Sequence, residues 1–383
     1  MKIYLIYDFL TESGGLERLM ANHAKMLKEE GFEVDVLTYH YTQEVIKRAG
    51  FEGITIKNIS IVKTRSELIN IFLSIFLSFF GINKLRDCNP DLFITYSFPA
   101  NYLIRNKRMR KINYMNHYPH FLYLKGKEKI EWASSIKGFK RWLVTISSWF
   151  FGWYFKKLDM TLVLKSNLNF ANSNFTKKRL DKLYNIKCIV SYPPISKVFK
   201  PSERKISDKY IFAAGRIIPD KKYDWLIESC SLMKNKLPLY ISGDGSHEYV
   251  EKLTKLAEEK GVEIKFVNRS LNDLIIYYTN ASVLAFSTPG EDFGLVPAES
   301  LACGTPVVVW GDKAGPTEQV IDNVNGYYAN PYDLKDFAEK LDKTIYTNLK
   351  TRNRKMIIES SKKFSYEEVK MGFIKEIKKI LEK

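Results

Sequence analysis

The strongest constraint on this chain is an alternation that runs twice. Short apolar segments with strand character alternate with segments of helical periodicity, break at a proline-punctuated stretch, and begin again. In the first half, residues 2–8 are strand-like. Residues 16–30 have apolar positions at helical spacing, and 32–38 are strand-like again. Gly31 stands between that helix and the second strand, where a helix C-terminal glycine belongs. Residues 91–96, 112–115, 160–164 and 188–190 are further strand candidates. The texture changes at Tyr192-Pro193-Pro194-Ile195 and Phe199-Lys200-Pro201-Ser202. Beyond it, strands are expected at 210–214, 237–242, 263–267, 282–287 and 306–310. Helices are expected between and after them at 223–233, 247–260, 271–279, 295–302 and 334–344. Residues 365–383 form an amphipathic helical run. Such alternation implies α/β domains with parallel sheets and crossover helices. The chain's 383 residues suffice for two, each with its own core. The expectation is two doubly wound, Rossmann-like domains, at 1–195 and 202–365, facing a central cleft where such folds bind ligands.

The net charge of +17 is unevenly placed. Residues 1–200 carry 32 basic against 16 acidic side chains, and residues 201–383 carry 28 against 27. The excess therefore belongs to the first half. It points to an anionic partner there, a membrane surface, nucleic acid or a phosphorylated substrate, or else to a lysine-rich solvated surface. The four cysteines, Cys88, Cys188, Cys230 and Cys303, are scattered without a C-x-x-C pair. That fits a reducing, cytoplasmic setting and supplies no zinc site.

The N-terminus meets Asp8 after a few apolar residues and reads as a first strand, not a signal peptide. Residues 68–82 are strongly apolar but fall short of the ~20 residues of a spanning helix. Asn70, Ser74 and Ser78 recur every four positions, so the segment reads as an amphipathic helix, packed in the core or dipping into a bilayer surface. Residues 138–157 gather Trp142, Trp149, Phe150, Phe151, Trp153, Tyr154 and Phe155 between Lys137, Lys140, Arg141, Lys156 and Lys157. Rings bracketed by cations suit an anionic membrane interface, and they also suit a buried aromatic helix with solvated basic flanks.

Four motifs carry chemistry. Gly14-Gly15 precedes a helix, where a backbone can approach an anion. Gly243-Asp244-Gly245 follows a strand, and a plain tight turn explains either glycine pair as well. Neither completes G-x-G-x-x-G. Arg216 and Lys221, in the loop after the second half's first strand, are two cations able to converge on a diphosphate. Residues 284–318 are the most specific. Glu291 lies in the loop before a helix and Glu299 about two turns inside it. The N–H groups of Phe293, Gly294 and Leu295 open that helix and favour phosphate or hydroxyl oxygens. No Asp-x-Asp metal motif is present.

The string Glu291-x₇-Glu299 with Phe293-Gly294-Leu295, followed by Ala302-Cys303-Gly304-Thr305-Pro306, resembles the signature of retaining glycosyltransferase family 4, which has the GT-B fold. Gly14-Gly15-Leu16-Glu17, Gly215-Arg216 with Lys221, Gly243-Asp244-Gly245 and Gly315-Pro316-x-Glu318 fall in the family's order. The resemblance implies a C-terminal helix, 366–383, crossing back to the first domain. It implies an acceptor-binding first domain and a donor-binding second one. Arg216 and Lys221 would hold the donor diphosphate without a metal, and Gly14, Gly15 and Gly243 would line it. Glu291 would bind sugar hydroxyls, the amides of Phe293, Gly294 and Leu295 would contact sugar and phosphate, and Glu299 would hold the ribose. His117, in Asn116-His117-Tyr118-Pro119, matches the family's active-site histidine and resembles mannosyltransferases of lipid-linked oligosaccharide assembly. Lys222 replaces the glycine usual after the donor lysine. Asn268-Arg269 replaces a glycine near the base, leaving UDP and GDP open.

The expected activity is transfer of a hexose, mannose or glucose foremost, from GDP-mannose or a UDP-hexose to a glycan hydroxyl. The expected acceptor is polyprenyl-phosphate-linked, at the cytoplasmic face of the membrane, with residues 138–157 meeting anionic lipid. A GT-B epimerase or phosphorylase is the alternative, and a basic nucleic-acid-binding protein is a more distant one. That last reading leaves the Glu291–Glu299 string unexplained, so no nucleic acid partner is expected.

Overall fold

The structure is a computed structural model and describes residues 1–11, 14–61, 85, 88–96, 98, 100–105, 108–124, 152–267 and 270–382. The segments expected at 68–82 and 138–151, and Asn268-Arg269, lie outside these. The chain divides into two compact units. The first comprises Met1–Ser191 with Lys370–Lys383, the second Tyr192–Val369. The C-terminal helix Tyr366–Glu382 thus ends as part of the first unit.

The first unit is built on seven strands: β1 (Lys2–Ile6), β3 (Glu33–Thr38), β5 (Thr55–Asn58), β6 (Leu92–Thr95), β7 (Arg110–Met115), β8 (Leu168–Ala171) and β9 (Ile189–Val190). Two further short strands, β2 (Phe9–Leu10) and β4 (His40–Tyr41), pair with each other outside this sheet. The sheet order is β5-β3-β1-β6-β7-β8-β9, with every pairing parallel. The chain moves outward from β1 to β5, then resumes at β6 on β1's other side. The β1/β6 boundary is therefore a topological switch point, the place where doubly wound sheets open to ligands.

The helix Gly15–Glu29 ends as the sequence dictates. Gly31 takes φ +84°, and the Phe32 amide reaches back to the Leu27 carbonyl. Its N-terminal charge is supplied internally, because Glu17 accepts a 3.0 Å hydrogen bond from the Gly14 amide. On its inner face the fully buried His23 shares a 2.9 Å hydrogen bond with the Tyr96 hydroxyl. The His23 ring stacks on Phe373 of the C-terminal helix at 4.0 Å and 8°. Burial pushes His23 down to about 3, so it is a neutral stacking ring at any ordinary pH. Lys370 and Lys378 fasten the same helix to Glu29 and Glu30, each with a contact of 2.8 Å.

One expected element is corrected. Residues 160–164 are not a strand but the end of a helix, Gly152–Leu164. Met160-Thr161-Leu162-Val163-Leu164 is too short a run for periodicity to separate strand from buried helix. Helical spacing settles it, since Asp159, Leu162 and Val163 share the buried face. Asp159 anchors that face. It is 1% exposed and accepts hydrogen bonds from the Tyr123 hydroxyl at 2.8 Å and the Tyr184 hydroxyl at 2.7 Å. Burial pushes its carboxyl up to about 6, although both hydroxyls pull the other way.

The second unit is a six-stranded parallel sheet, β12-β11-β10-β13-β14-β15. Its strands are β10 (Ile211–Ala214), β11 (Leu239–Ser242), β12 (Ile264–Val267), β13 (Val283–Phe286), β14 (Val307–Trp310) and β15 (Gly326–Ala329). Helices cover both faces, which explains the continuous apolar runs. Ile211, Ala213, Val283, Ala285, Val308 and Trp310 enter one core. Phe212, Ala214, Leu284, Phe286, Val307 and Val309 enter the other. The order reverses between β10 and β13, giving this sheet its own switch point.

Two outcomes follow for the first unit. Phe373→Ala, which empties the ring slot over His23, should lower unfolding free energy by about 3–5 kcal/mol in urea titration. The Asp159 carboxyl binds its proton more tightly folded (about 6) than at its ordinary 3.8, so its contribution is greatest in acid and declines as pH rises through 4 to 6. The stability of wild type relative to Asp159→Asn should therefore rise by about 2 kcal/mol between pH 7 and pH 4. A flat difference would contradict that assignment.

Candidate functional site

Most of the expected site residues cluster at the C-terminal edge of the second sheet. β10 leads into Gly215, at φ +133°, then the exposed Arg216. The Gly215 amide donates to the Ser242 carbonyl and the Ile217 amide to the Asp244 carbonyl, so the loops after β10 and β11 run together. A Cβ on Gly243 would stand 1.8 Å from the Gly215 carbonyl oxygen, and one on Gly245 would stand 2.7 Å from the Ile217 Cβ. In this unit Gly243 is thus required by backbone packing. Tyr223 closes the loop from the other side, its hydroxyl donating to the Gly215 carbonyl at 3.1 Å.

Lys221 ends the short 3₁₀ turn Pro219–Lys221. Lys222 follows at φ +53°, the left-handed region, and caps the helix Tyr223–Leu232. That conformation is where the family resemblance places a glycine. The Ser287 hydroxyl, just past β13, lies 3.0 Å from the Lys221 carbonyl and 2.9 Å from that of Lys222, tying the turn to the neighbouring strand. The Lys221 ammonium then meets Glu291 at 2.5 Å, each side chain about a quarter exposed. The sequence placed these two groups at one site without pairing them; the structure joins them directly.

Glu291 precedes the helix Leu295–Ala302, whose start is tightly held. Gly294 takes φ +76°. A Cβ on Gly315 would lie 2.2 Å from the Asp292 carbonyl oxygen and 2.5 Å from the Phe293 Cα. The Gly315 amide donates to the Glu291 carbonyl at 2.9 Å. The buried Gln319 amide donates to the carbonyls of Phe293 and Gly294 at 2.7 and 2.8 Å. Asp312 receives the amides of Gly290 and Ala314. These ties fix the first N–H groups of the helix, which have no intrahelical acceptor by geometry. Pro297 sits in the first turn, where its missing N–H costs nothing. Glu299, 4% exposed, accepts a 3.0 Å hydrogen bond from the buried Tyr278 hydroxyl.

Ser287, Asp312, Gln319 and Tyr278 were not singled out from sequence. Ser287 and Asp312 lie within the 284–318 stretch and Gln319 directly follows it, whereas Tyr278 had no pointer.

In the first unit, His117 lies just beyond β7, exposed, with its Nδ1 2.8 Å from the Tyr118 carbonyl and its ring stacked on His120 at 4.5 Å. Burial first, then the nearby His117 and Arg179 charges, push His120 down to about 3. Gly14 and Gly15 begin the helix Gly15–Glu29. No group of three or more His, Cys, Asp or Glu side chains suited to a metal occurs among the described residues.

A family model described as Glycosyltransferase Family 4 matches residues 13–196, and one described as Glycosyl transferases group 1 matches residues 194–364. An uncharacterized glycosyltransferase of Methanocaldococcus jannaschii is 27% identical over 97% of this chain and 96% of its own length. The poly(ribitol-phosphate) alpha-N-acetylglucosaminyltransferase of Staphylococcus aureus is 26% identical over 49% of this chain and 39% of its own. Sucrose-phosphate synthase of Thermosynechococcus elongatus superposes with a TM-score of 0.75 at 14% identity, covering 99% of each chain. HepE of Anabaena in complex with UDP superposes at 0.74 with 16% identity, over 99% of this chain and 100% of that one. The sheet orders, the Arg216–Lys221 and Glu291–Glu299 segments, and two consecutive family matches converge: the chain is a GT-B glycosyltransferase of the group 1/family 4 type.

Proposed function

We propose that the chain transfers a hexose, mannose or glucose, from a nucleoside diphosphate donor to a glycan hydroxyl, retaining the anomeric configuration. The observation that supports this most is the meeting of Lys221 and Glu291 in front of a helix N-terminus at the β10/β13 switch point. A sugar diphosphate needs those three features together: cations and N–H donors for its phosphates, and a carboxylate for its hydroxyls. The Lys221–Glu291 ion pair keeps both side chains at the site. With donor present, Lys221 and Arg216 would turn to the diphosphate, and Glu291 to the sugar. Glu299, oriented by Tyr278, would hold the ribose. As the bond from the anomeric carbon to the diphosphate oxygen breaks, the acceptor oxygen bonds to that carbon on the same face. The acceptor proton passes to the departing diphosphate. Stabilising that diphosphate is then the main catalytic contribution of the two cations.

We also infer an anionic membrane surface as partner of the first unit, at the cytoplasmic face, with a polyprenyl-phosphate-linked acceptor. Trp153 is 76% and Tyr154 49% exposed at the start of the helix Gly152–Leu164, and the Lys157 ammonium lies over the Trp153 ring at 5.5 Å. An exposed indole beside lysines suits lipid headgroups. No helix among the described residues is long and apolar enough to cross a membrane.

Arg216→Ala and Glu291→Ala should each lower transfer from the true donor by ~10²-fold or more, with the unfolding midpoint little changed. Wild-type activity in either variant would sink the assignment. Conversion of the nucleotide sugar without any acceptor would favour an epimerase instead. Trp153→Ala should weaken flotation with anionic liposomes, and wild type should float with anionic but not neutral ones. Equal flotation with both would remove the membrane inference.

A further inference from the structure

At the C-terminal ends of β6 and β7, beside the first sheet's switch point, the first unit holds a cavity of about 30 Å³. A water needs ~10–15 Å³ on this scale, so the cavity has room for about two small groups but not for a sugar ring. Polar and apolar side chains line it together. Thr95 and Asn113 form one wall and satisfy each other: the Thr95 hydroxyl lies 2.7 Å from the Asn113 Oδ1. The Asn113 amide in turn donates to Ser166 and Asn169. Asp159 forms another wall, with its two tyrosine donors. Asn101, 7% exposed, lines the cavity, and its Oδ1 is buried without a hydrogen-bond partner among the described residues. Phe98 and the exposed His117 also line it.

Two features define what this cavity takes. A buried carbonyl oxygen without a donor costs about 1–3 kcal/mol, so the site is completed by a ligand that donates a hydrogen bond. No lysine or arginine is among the described residues lining it, whereas a carboxyl group is. Although this half of the chain carries nearly all the positive charge, the described lining offers a phosphate no cation and sets a carboxyl against it. We propose that it is a specificity pocket for the hydroxymethyl arm of a neutral hexose, the acceptor sugar. The hydroxyl donates to Asn101 Oδ1, the methylene lies against Phe98, and the ring rests at the mouth beside His117. This rests on the reading that the chain glycosylates a glycan acceptor and adds the chemical class of its terminal residue: a neutral hexose bearing a free hydroxymethyl group.

The test is saturation-transfer NMR on the full chain with three soluble probes: methyl α-glucopyranoside, methyl α-xylopyranoside, which lacks only the hydroxymethyl arm, and glucose 6-phosphate. The glucoside should bind at millimolar strength, the xyloside at least about tenfold more weakly, and the phosphate not at all. Asn101→Leu, which puts a branched apolar side chain in place of the carboxamide, and Asn101→Ala, which removes the carboxamide and widens the cavity, should each weaken glucoside binding about tenfold. Equal binding of glucoside and xyloside, binding of the phosphate as strong as the glucoside's, or unchanged affinity in Asn101→Ala would overturn the proposal. So would a wild type that binds none of the probes, which would leave the cavity to water. A thermal-shift titration of wild type with UDP- and GDP-hexoses separates the two readings. No donor shift beside intact glucoside binding would remove the transferase reading and keep the pocket; a donor shift without sugar discrimination would do the reverse.

Discussion

The approach of Gly315 to the backbone of Asp292 and Phe293 is the constraint on which the candidate donor site depends. At 2.2 Å from a carbonyl oxygen, no Cβ can be placed there. That approach brings Gln319 under the start of the helix Leu295–Ala302, where it takes the carbonyls of Phe293 and Gly294. Once those carbonyls are held, the helix begins where it does, its N–H groups open toward the edge of the sheet, and Glu291 projects beside them. The second loop pair works in the same way. Gly243 lies against the Gly215 carbonyl, so the segment bearing Arg216 and Lys221 cannot drift from the β11 loop. Ser287 then fastens Lys221 and Lys222 to β13. The chemistry rests on flexible side chains, but their bases are set by contacts between backbones. Rigid placement of donors and cations is what lets a site stabilise developing charge without reorganising.

Much of this was legible in the sequence because both sheets are parallel and covered on two faces. A short apolar run such as Val307–Trp310 reads as a buried strand because it is β-branched and set between Gly304-Thr305-Pro306 and Gly311. Caps and glycines then placed the helix ends within a residue or two, as with Gly31 and the helix Gly15–Glu29. The failure at 160–164 has the opposite cause: four apolar residues and Thr161 at the end of a helix, without such flanks, carry too little period to identify themselves. The donor motif was legible as composition and spacing, but its geometry was not. Nothing in the string indicates that Lys221 would reach Glu291 across 70 residues, or that Glu299 would be buried against Tyr278. Gly243 stood in the string as a candidate donor contact, and nothing there showed that packing against the Gly215 backbone also requires a glycine at that position. Asn101 and Asp159 had no motif at all, since the short turn Ala100–Ile104 and the helix Gly152–Leu164 acquire meaning only when the sheet brings them to one cavity.

The charge asymmetry takes on a more specific sense. The second unit, which carries the cation pair proposed for the donor, is near neutral overall, so two well-placed side chains supply what the site needs. The first unit carries the excess, yet its polar cavity is free of lysine and arginine among the described lining residues. Charge and recognition are therefore separate on that unit. The basic surface suits an anionic partner at long range, and the cavity suits a neutral hydroxylated group at contact.

The central claim is that the second unit binds the nucleotide of a sugar donor. Photoaffinity labelling with 5-azido-UDP-glucose and 8-azido-GDP-mannose, followed by peptide mapping, tests it most directly. The account predicts labelled peptides confined to Tyr192–Val369, near the loops of Arg216, Gly243 and Glu291, with labelling abolished by the unmodified nucleotide sugar. Label that cannot be competed, or competable label found only within Met1–Ser191, would contradict it.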